Sequence, residues 1–204
     1  MELEKALSQI SEIHGHLARS EVYRGYRPLC LALSGLLALL AAGLQETLFV
    51  PGSPAAFVEY WAIVAAVCGA LSASDMAYNY FFREDAFRRN KTRRVVEQFL
   101  PCLVGGAALT ICLARGSSAY TALIPGLWAI LFSMGIFSTR PYLPRAIGWV
   151  GLYYLVAGSV LLLLTVKDAN LSPWGMGITF GAGQILAAGV LHCNVERTAN
   201  TEQG

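Results

Sequence analysis

The chain has 204 residues, of which 55% are hydrophobic and 14% charged, and 15 Lys and Arg stand against 13 Asp and Glu for a formal charge of +2. A soluble domain of this size cannot cover so much apolar sequence, and the small charge excess gives no electrostatic footprint for a nucleic-acid partner. Five cysteines, Cys30, Cys68, Cys102, Cys112 and Cys193, show no CxxC spacing and lie in or at the ends of apolar stretches, so they are expected to be packing residues rather than a disulfide framework.

In residues 1–27, Leu3, Ala6, Ile10, Ile13 and Leu17 recur at alternating spacings of three and four, which predicts one apolar seam along an amphipathic helix. Such a seam must bury against something: the bilayer surface, the protein's own loops, or a partner or second copy docking on residues 3–17. The opening Glu2, Glu4 and Lys5 do not resemble a cleavable signal peptide, so the first apolar window is expected to act as an uncleaved targeting signal.

Six apolar windows follow, at 28–44, 57–74, 99–114, 120–137, 146–166 and 174–193. Each holds 16 to 21 residues, and a helix rising 1.5 Å per residue needs roughly 20 to cross a hydrocarbon core of about 30 Å. The predicted fold is all-α: a polytopic membrane domain of six transmembrane helices over 28–193, preceded by the amphipathic helix and followed by a disordered tail, 194–204. Ser53-Pro54 and Ser172-Pro173 open the second and sixth windows as helix caps, with proline in the first turn where no N–H is missed.

Thirteen of the 15 basic residues fall on one side of this ladder: four before the first window, six between the second and third, Arg140 and Arg145 between the fourth and fifth, and Arg197 after the sixth. Only Arg115 and Lys167 lie opposite. Because cytoplasmic loops carry the excess of Lys and Arg, both termini are expected in the cytoplasm. The connection bearing Arg88, Arg89, Lys91, Arg93 and Arg94 could bind anionic lipid headgroups, although topology by itself already calls for a basic inner loop.

Two stripes of small residues repeat every four positions, Ala62, Ala66, Ala70 and Ser74 in the second window and Gly175, Thr179, Gly183 and Ala187 in the sixth. Such stripes let helix backbones approach closely, which predicts that both helices are central. Ser34-Gly35, Gly105-Gly106 and Gly158-Ser159 hint at a threefold hairpin repeat.

Counting helix rise places Gln184 about 18 Å from one membrane edge and Tyr153 and Tyr154 about 12 Å from the other, in one layer of the half toward the basic side. Ser133 falls within a turn of it, and Asp75 lies just beneath. Buried polar groups at that depth need partners or water, so the layer is a candidate ligand-binding cavity lined by Gln184, Tyr153, Tyr154 and Ser133, with Asp75 at its mouth. Interhelical hydrogen bonding accounts for the same residues, and Asp75 could instead pair with Arg24, Arg27 or Arg145.

No nucleophile and base share a depth, and His14, His16, His192 and Cys193 are not brought together by spacing, so neither an enzyme nor a metal or other cofactor is expected. Pro125-Gly126-Leu127-Trp128 and Phe180-Gly181-Ala182-Gly183-Gln184 resemble runs in bacterial six-helix membrane proteins of unassigned function. That resemblance implies a bacterial inner membrane. In size and topology, and in Ser34, Ala38 and Ala42 of the first window, the chain is also similar to the substrate-binding membrane subunits of energy-coupling-factor transporters, which implies small-solute binding or transport. A non-enzymatic adaptor or sensor, docking a partner through the N-terminal seam, is the alternative expectation.

Overall fold

The computed structural model describes residues 28–49, 52–82, 86–168 and 171–201, and among them every regular element is helical. In chain order these are α1 (Pro28–Thr47), α2 (Pro54–Phe82), α3 (Ala86–Ala114), α4 (Ser118–Ala122), α5 (Ile124–Thr139), α6 (Ile147–Asp168), α7 (Pro173–Met176) and α8 (Gly183–Thr201). A 3-10 turn, Arg140–Tyr142, follows α5, and a wider π-helical stretch, Gly177–Ala182, carries α7 into α8 without a break. The expected amphipathic helix over 1–27 lies outside the described residues. The backbone of α8 stays helical to Thr201, through positions that the sequence reading assigns to the tail.

Among the described residues, five helical segments are long and apolar enough to cross a membrane: Pro28–Thr47, Pro54–Phe82, Arg89–Ala114, Ile147–Lys167 and Pro173–Cys193. This is the layout of a multi-pass membrane protein. The expected fourth crossing is the exception, because the helix restarts at Leu123 and α5 alone has 16 residues, about 24 Å of rise. Pro125 is the physical reason: it has no N–H to offer the Thr121 carbonyl, and its ring disfavours a regular turn behind it.

Both expected caps form. Ser53 Oγ accepts from the Ala56 amide at 3.2 Å and Ser172 Oγ from the Gly175 amide at 3.2 Å. The α2 helix then runs 29 residues without interruption, about 43 Å, and so outruns a hydrocarbon core by roughly 13 Å.

Glycines set the packing of the bundle, as expected where lipid removes the hydrophobic drive between helices and close backbone contact replaces it. A Cβ on Gly158 of α6 would fall 2.9 Å from the Gly126 carbonyl oxygen of α5, and one on Gly35 of α1 would fall 2.7 Å from that of Gly181. Gly177 rests on Ala42 of α1, and Gly135 of α5 leaves room for the ring of Phe99 from α3. Thus α5 and α6 form the central pair, α3 covers α5, and α1 lies against α7 and α8. The α2 helix joins at the end remote from the basic connection, where Phe57, Val58 and Trp61 are buried, Trp61 Nε1 donates to Gln45 Oε1 at 2.7 Å, and the Tyr60 hydroxyl donates to the Ala41 carbonyl at 2.7 Å.

The two small-residue stripes have opposite fates, which corrects the expectation that both helices are central. In Pro173–Cys193, 44% of the spanning window is buried, against 17% in Pro54–Phe82 and 6% in Arg89–Ala114. Ala66, Ala70 and Ser74 are exposed, and a Cβ on Gly69 would meet nothing within 4 Å. The difference lies in what faces each stripe: Gly175 and Gly183 meet Leu161 and Tyr154 of α6, with Gly177 and Gly181 of the same helix against Ala42 and Leu39 of α1, whereas on α2 the half-buried Cys68 donates to the Ser34 carbonyl of α1 at 3.8 Å and the stripe beside it stays exposed. The suggested hairpin repeat does not share an environment either, since Gly35 and Gly158 are closely packed and Gly105 faces open space.

Candidate functional site

The polar layer expected from helix rise forms around the π-helical stretch. A wide turn puts backbone carbonyls out of line for regular bonding, and in an apolar surrounding each such oxygen needs another donor. Two adjacent tyrosines of α6 supply donors here: the Tyr153 hydroxyl donates to the Ile178 carbonyl at 2.7 Å and the Tyr154 hydroxyl to the Phe180 carbonyl at 3.3 Å. Tyr154 is 1% exposed, and its ring fits against Gly183, where any side chain would collide with it. Phe132 and Phe180 enclose the same ring, with centroids 4.9 and 5.7 Å away.

Ser133 of α5 is completely buried, and its hydroxyl donates to the Gly151 carbonyl of α6 at 2.7 Å. The three hydroxyls of Ser133, Tyr153 and Tyr154 therefore fasten α5 to α6 and α6 to the π-helical stretch. Buried polar groups satisfied in this way specify the register of their helices. Of the predicted cavity residues, these three come together.

Gln184 reaches the same depth on another face. It follows Gly183, so one residue of helical rotation turns it from Tyr154 toward α1, where its Cβ lies 3.2 Å from the place a Gly35 Cβ would occupy. It is half-buried. Asp75 belongs to α2, away from the layer, and its carboxylate accepts from Asn79 Nδ2 at 3.3 Å. The expected ion pair with Arg145 does not form, and Arg24 and Arg27 lie outside the described residues.

A surface groove of about 360 Å³ is lined by Trp149, Leu152, Tyr153, Val156 and Ala157. It opens on the outer face of α6, and Tyr153 is the one predicted cavity residue that touches it. In the basic connection, Arg89 donates to the Phe81 carbonyl at 3.2 Å and lies over the Tyr80 ring at 5.6 Å. Arg93 pairs with Glu97 at 2.6 Å, both side chains being more than half exposed, and Arg94 is exposed. Lys91 is half-buried and partnered. The Arg88 side chain lies outside the described ones.

One polar residue escapes the sequence reading. Gln45, at the end of α1, is 1% exposed; its Oε1 takes the Trp61 indole N–H, while its Nε2 has no protein partner. It falls one residue past the first apolar window and so reads as a turn. The usable signal was Trp61, an indole donor early in the next helix.

The fold and the layer define a multi-pass helical membrane protein whose mid-depth hydroxyls are engaged in joining its helices. No family model, curated protein or solved structure matches the chain.

Proposed function

We propose that the protein is a non-enzymatic membrane adaptor that holds a partner's transmembrane helix along α2. One observation carries this reading: the small-residue face of α2, including Ala66, Gly69, Ala70 and Ser74, is exposed at mid-depth, while the equivalent face of α7 and α8 is packed inside the bundle. Lipid chains gain little from such a flat strip, whereas a second helix gains close backbone contact. The polar layer supports the same reading, because its hydroxyls already satisfy protein carbonyls.

In this proposal α4 and α5 together provide a sixth crossing, since residues 118–139 rise about 33 Å if taken as one path. The thirteen basic residues then lie in the cytoplasm with both termini, in a bacterial inner membrane. The N-terminal seam over 3–17 lies on the same side as the overrun of α2 and offers the partner a second contact.

The test is photo-cross-linking in native membranes. A photoreactive residue at Ala66 is expected to give a discrete protein adduct, identified by mass, that disappears when Ala70 and Ser74 are changed to Leu; the same probe at the exposed Val160 of α6 should label lipid. Lipid adducts alone at position 66 would overturn the proposal.

Small-solute binding is the second reading, favoured by Gln184, whose half-buried amide lies at mid-depth with no hydrogen-bond partner among the described residues. A solute panel followed by thermal shift should then find a stabilising ligand whose effect Gln184→Leu removes. If Gln184→Leu folds and keeps the response, this second reading fails.

A further inference from the structure

We infer that the outer face of α6 is a binding site for one anionic phospholipid, with its phosphate held by Arg140 and Arg145 and one acyl chain in the groove above them. This site is independent of the proposed docking face on α2.

The argument begins at the foot of α6. Trp149, Leu152, Tyr153 and Val156 follow one another at spacings of three, one and three, so they share a face of the helix, and Arg145 lies in the turn that leads into it. Arg145 is exposed and lies about one turn before Trp149. Arg140 reaches the same place from the 3-10 turn: its Nε is 3.4 Å, and its guanidinium carbon 3.5 Å, from where a Cβ on Gly148 would stand. Glycine at 148 thus lets the guanidinium lie flat across the start of α6. Neither arginine forms an ion pair with a described carboxylate, so both ends of the short turn that leads into α6 carry a guanidinium without a counter-charge.

Above them the surface changes character. Trp149 is 73% exposed, which suits an indole at the level of headgroups. Beyond it the groove of about 360 Å³ is lined by Leu152, Tyr153, Val156 and Ala157. Beyond the Trp149 indole, the polar side-chain group of this lining is the Tyr153 hydroxyl, which is engaged with the Ile178 carbonyl, so the groove offers a mainly apolar wall. From Trp149 to Ala157 the helix rises about 12 Å, close to the depth of one leaflet, half of a core of about 30 Å.

Charge and length select the occupant. A phosphodiester matches paired guanidiniums, which recognise phosphate through several N–H donors at once, and an acyl chain of one leaflet matches the groove. Zwitterionic lipid would fill the groove while its own ammonium offsets the attraction at the foot.

Native mass spectrometry of the delipidated full chain, titrated separately with phosphatidylglycerol and phosphatidylcholine, tests this. Phosphatidylglycerol is expected to bind at least tenfold more tightly. Arg145→Gln should weaken it about fivefold, and the Arg140→Gln, Arg145→Gln pair should bring it close to the phosphatidylcholine level. Ala157→Leu, which fills the groove from an accessible position, should weaken both lipids. Arg93→Gln with Arg94→Gln should leave the preference intact. Equal binding of the two lipids, or loss of the preference on changing Arg93 and Arg94 but not Arg140 and Arg145, would overturn the site. Should the double variant lose its helical circular dichroism, Arg145→Gln and Ala157→Leu decide the matter, and unchanged binding in either refutes it.

Discussion

The α7–α8 helix and α2 carry the same sequence device and use it differently. In the former, Gly175 meets Leu161, Gly183 meets Tyr154, and Gly177 and Gly181 meet Ala42 and Leu39. In the latter, Ala66, Ala70 and Ser74 are exposed. A stripe of small residues therefore confers only the capacity for close approach; contact requires a facing helix, and here α6 fills the stripe with the larger Leu161 and Tyr154. The α1 helix brings small residues of its own, Gly35 and Ala42, against a different pair of the sixth window, Gly181 and Gly177.

Substitution should break the two regions unequally. Gly183→Val drives a branched side chain into the Tyr154 ring and is expected to cost about 3 kcal/mol or prevent folding, because an overfilled site must move rigid neighbours. Chemical unfolding in detergent would measure it. Tyr153→Phe and Tyr154→Phe each remove one hydroxyl from the π-helical carbonyls and should cost about 0.6 to 1 kcal/mol each, with non-additive behaviour in the double variant since both act on one stretch. Gly69→Ala on α2 meets open space and should leave stability unchanged or raise it by up to about 1 kcal/mol through helix propensity. Destabilisation there as large as at Gly183 would contradict the picture of α2 as a peripheral helix. Glu97→Gln breaks an exposed pair with Arg93 and should change stability by less than about 0.5 kcal/mol, an effect that added salt erases.

Much of this was legible where one residue decides one local outcome. Ser53 and Ser172 cap because their hydroxyls can reach an amide three residues on, and Pro54 and Pro173 stand in the first turn, where a helix needs no N–H from them. Depth was legible too, since rise per residue is fixed, and it places Gly183 beside Tyr154. Azimuth was not: whether Gln184 shares a face with the tyrosines depends on helix rotation, and the wide turn before it changes that rotation. The restart at Leu123 was masked by an unbroken apolar run, though Pro125 was in plain view. The missing ion pair of Asp75 had no sequence signal, because Asn79 one turn on satisfies the carboxylate locally.

The π-helical stretch also governs how a four-residue repeat behaves along a helix. In a uniform α-helix each step of four overshoots a full turn by about 40°, so three steps carry a stripe through roughly 120°. A wider turn undershoots instead and takes part of that rotation back. The positions Gly175, Gly183 and Ala187 can then all face α6, from Leu161 at one end to the Tyr154 and Val150 cluster at the other. The α2 helix has no such correction, so its stripe winds around it. A helix following that stripe would cross α2 obliquely, at the right-handed angle near −40° common to small-xxx-small pairs, and would diverge from it toward both membrane surfaces.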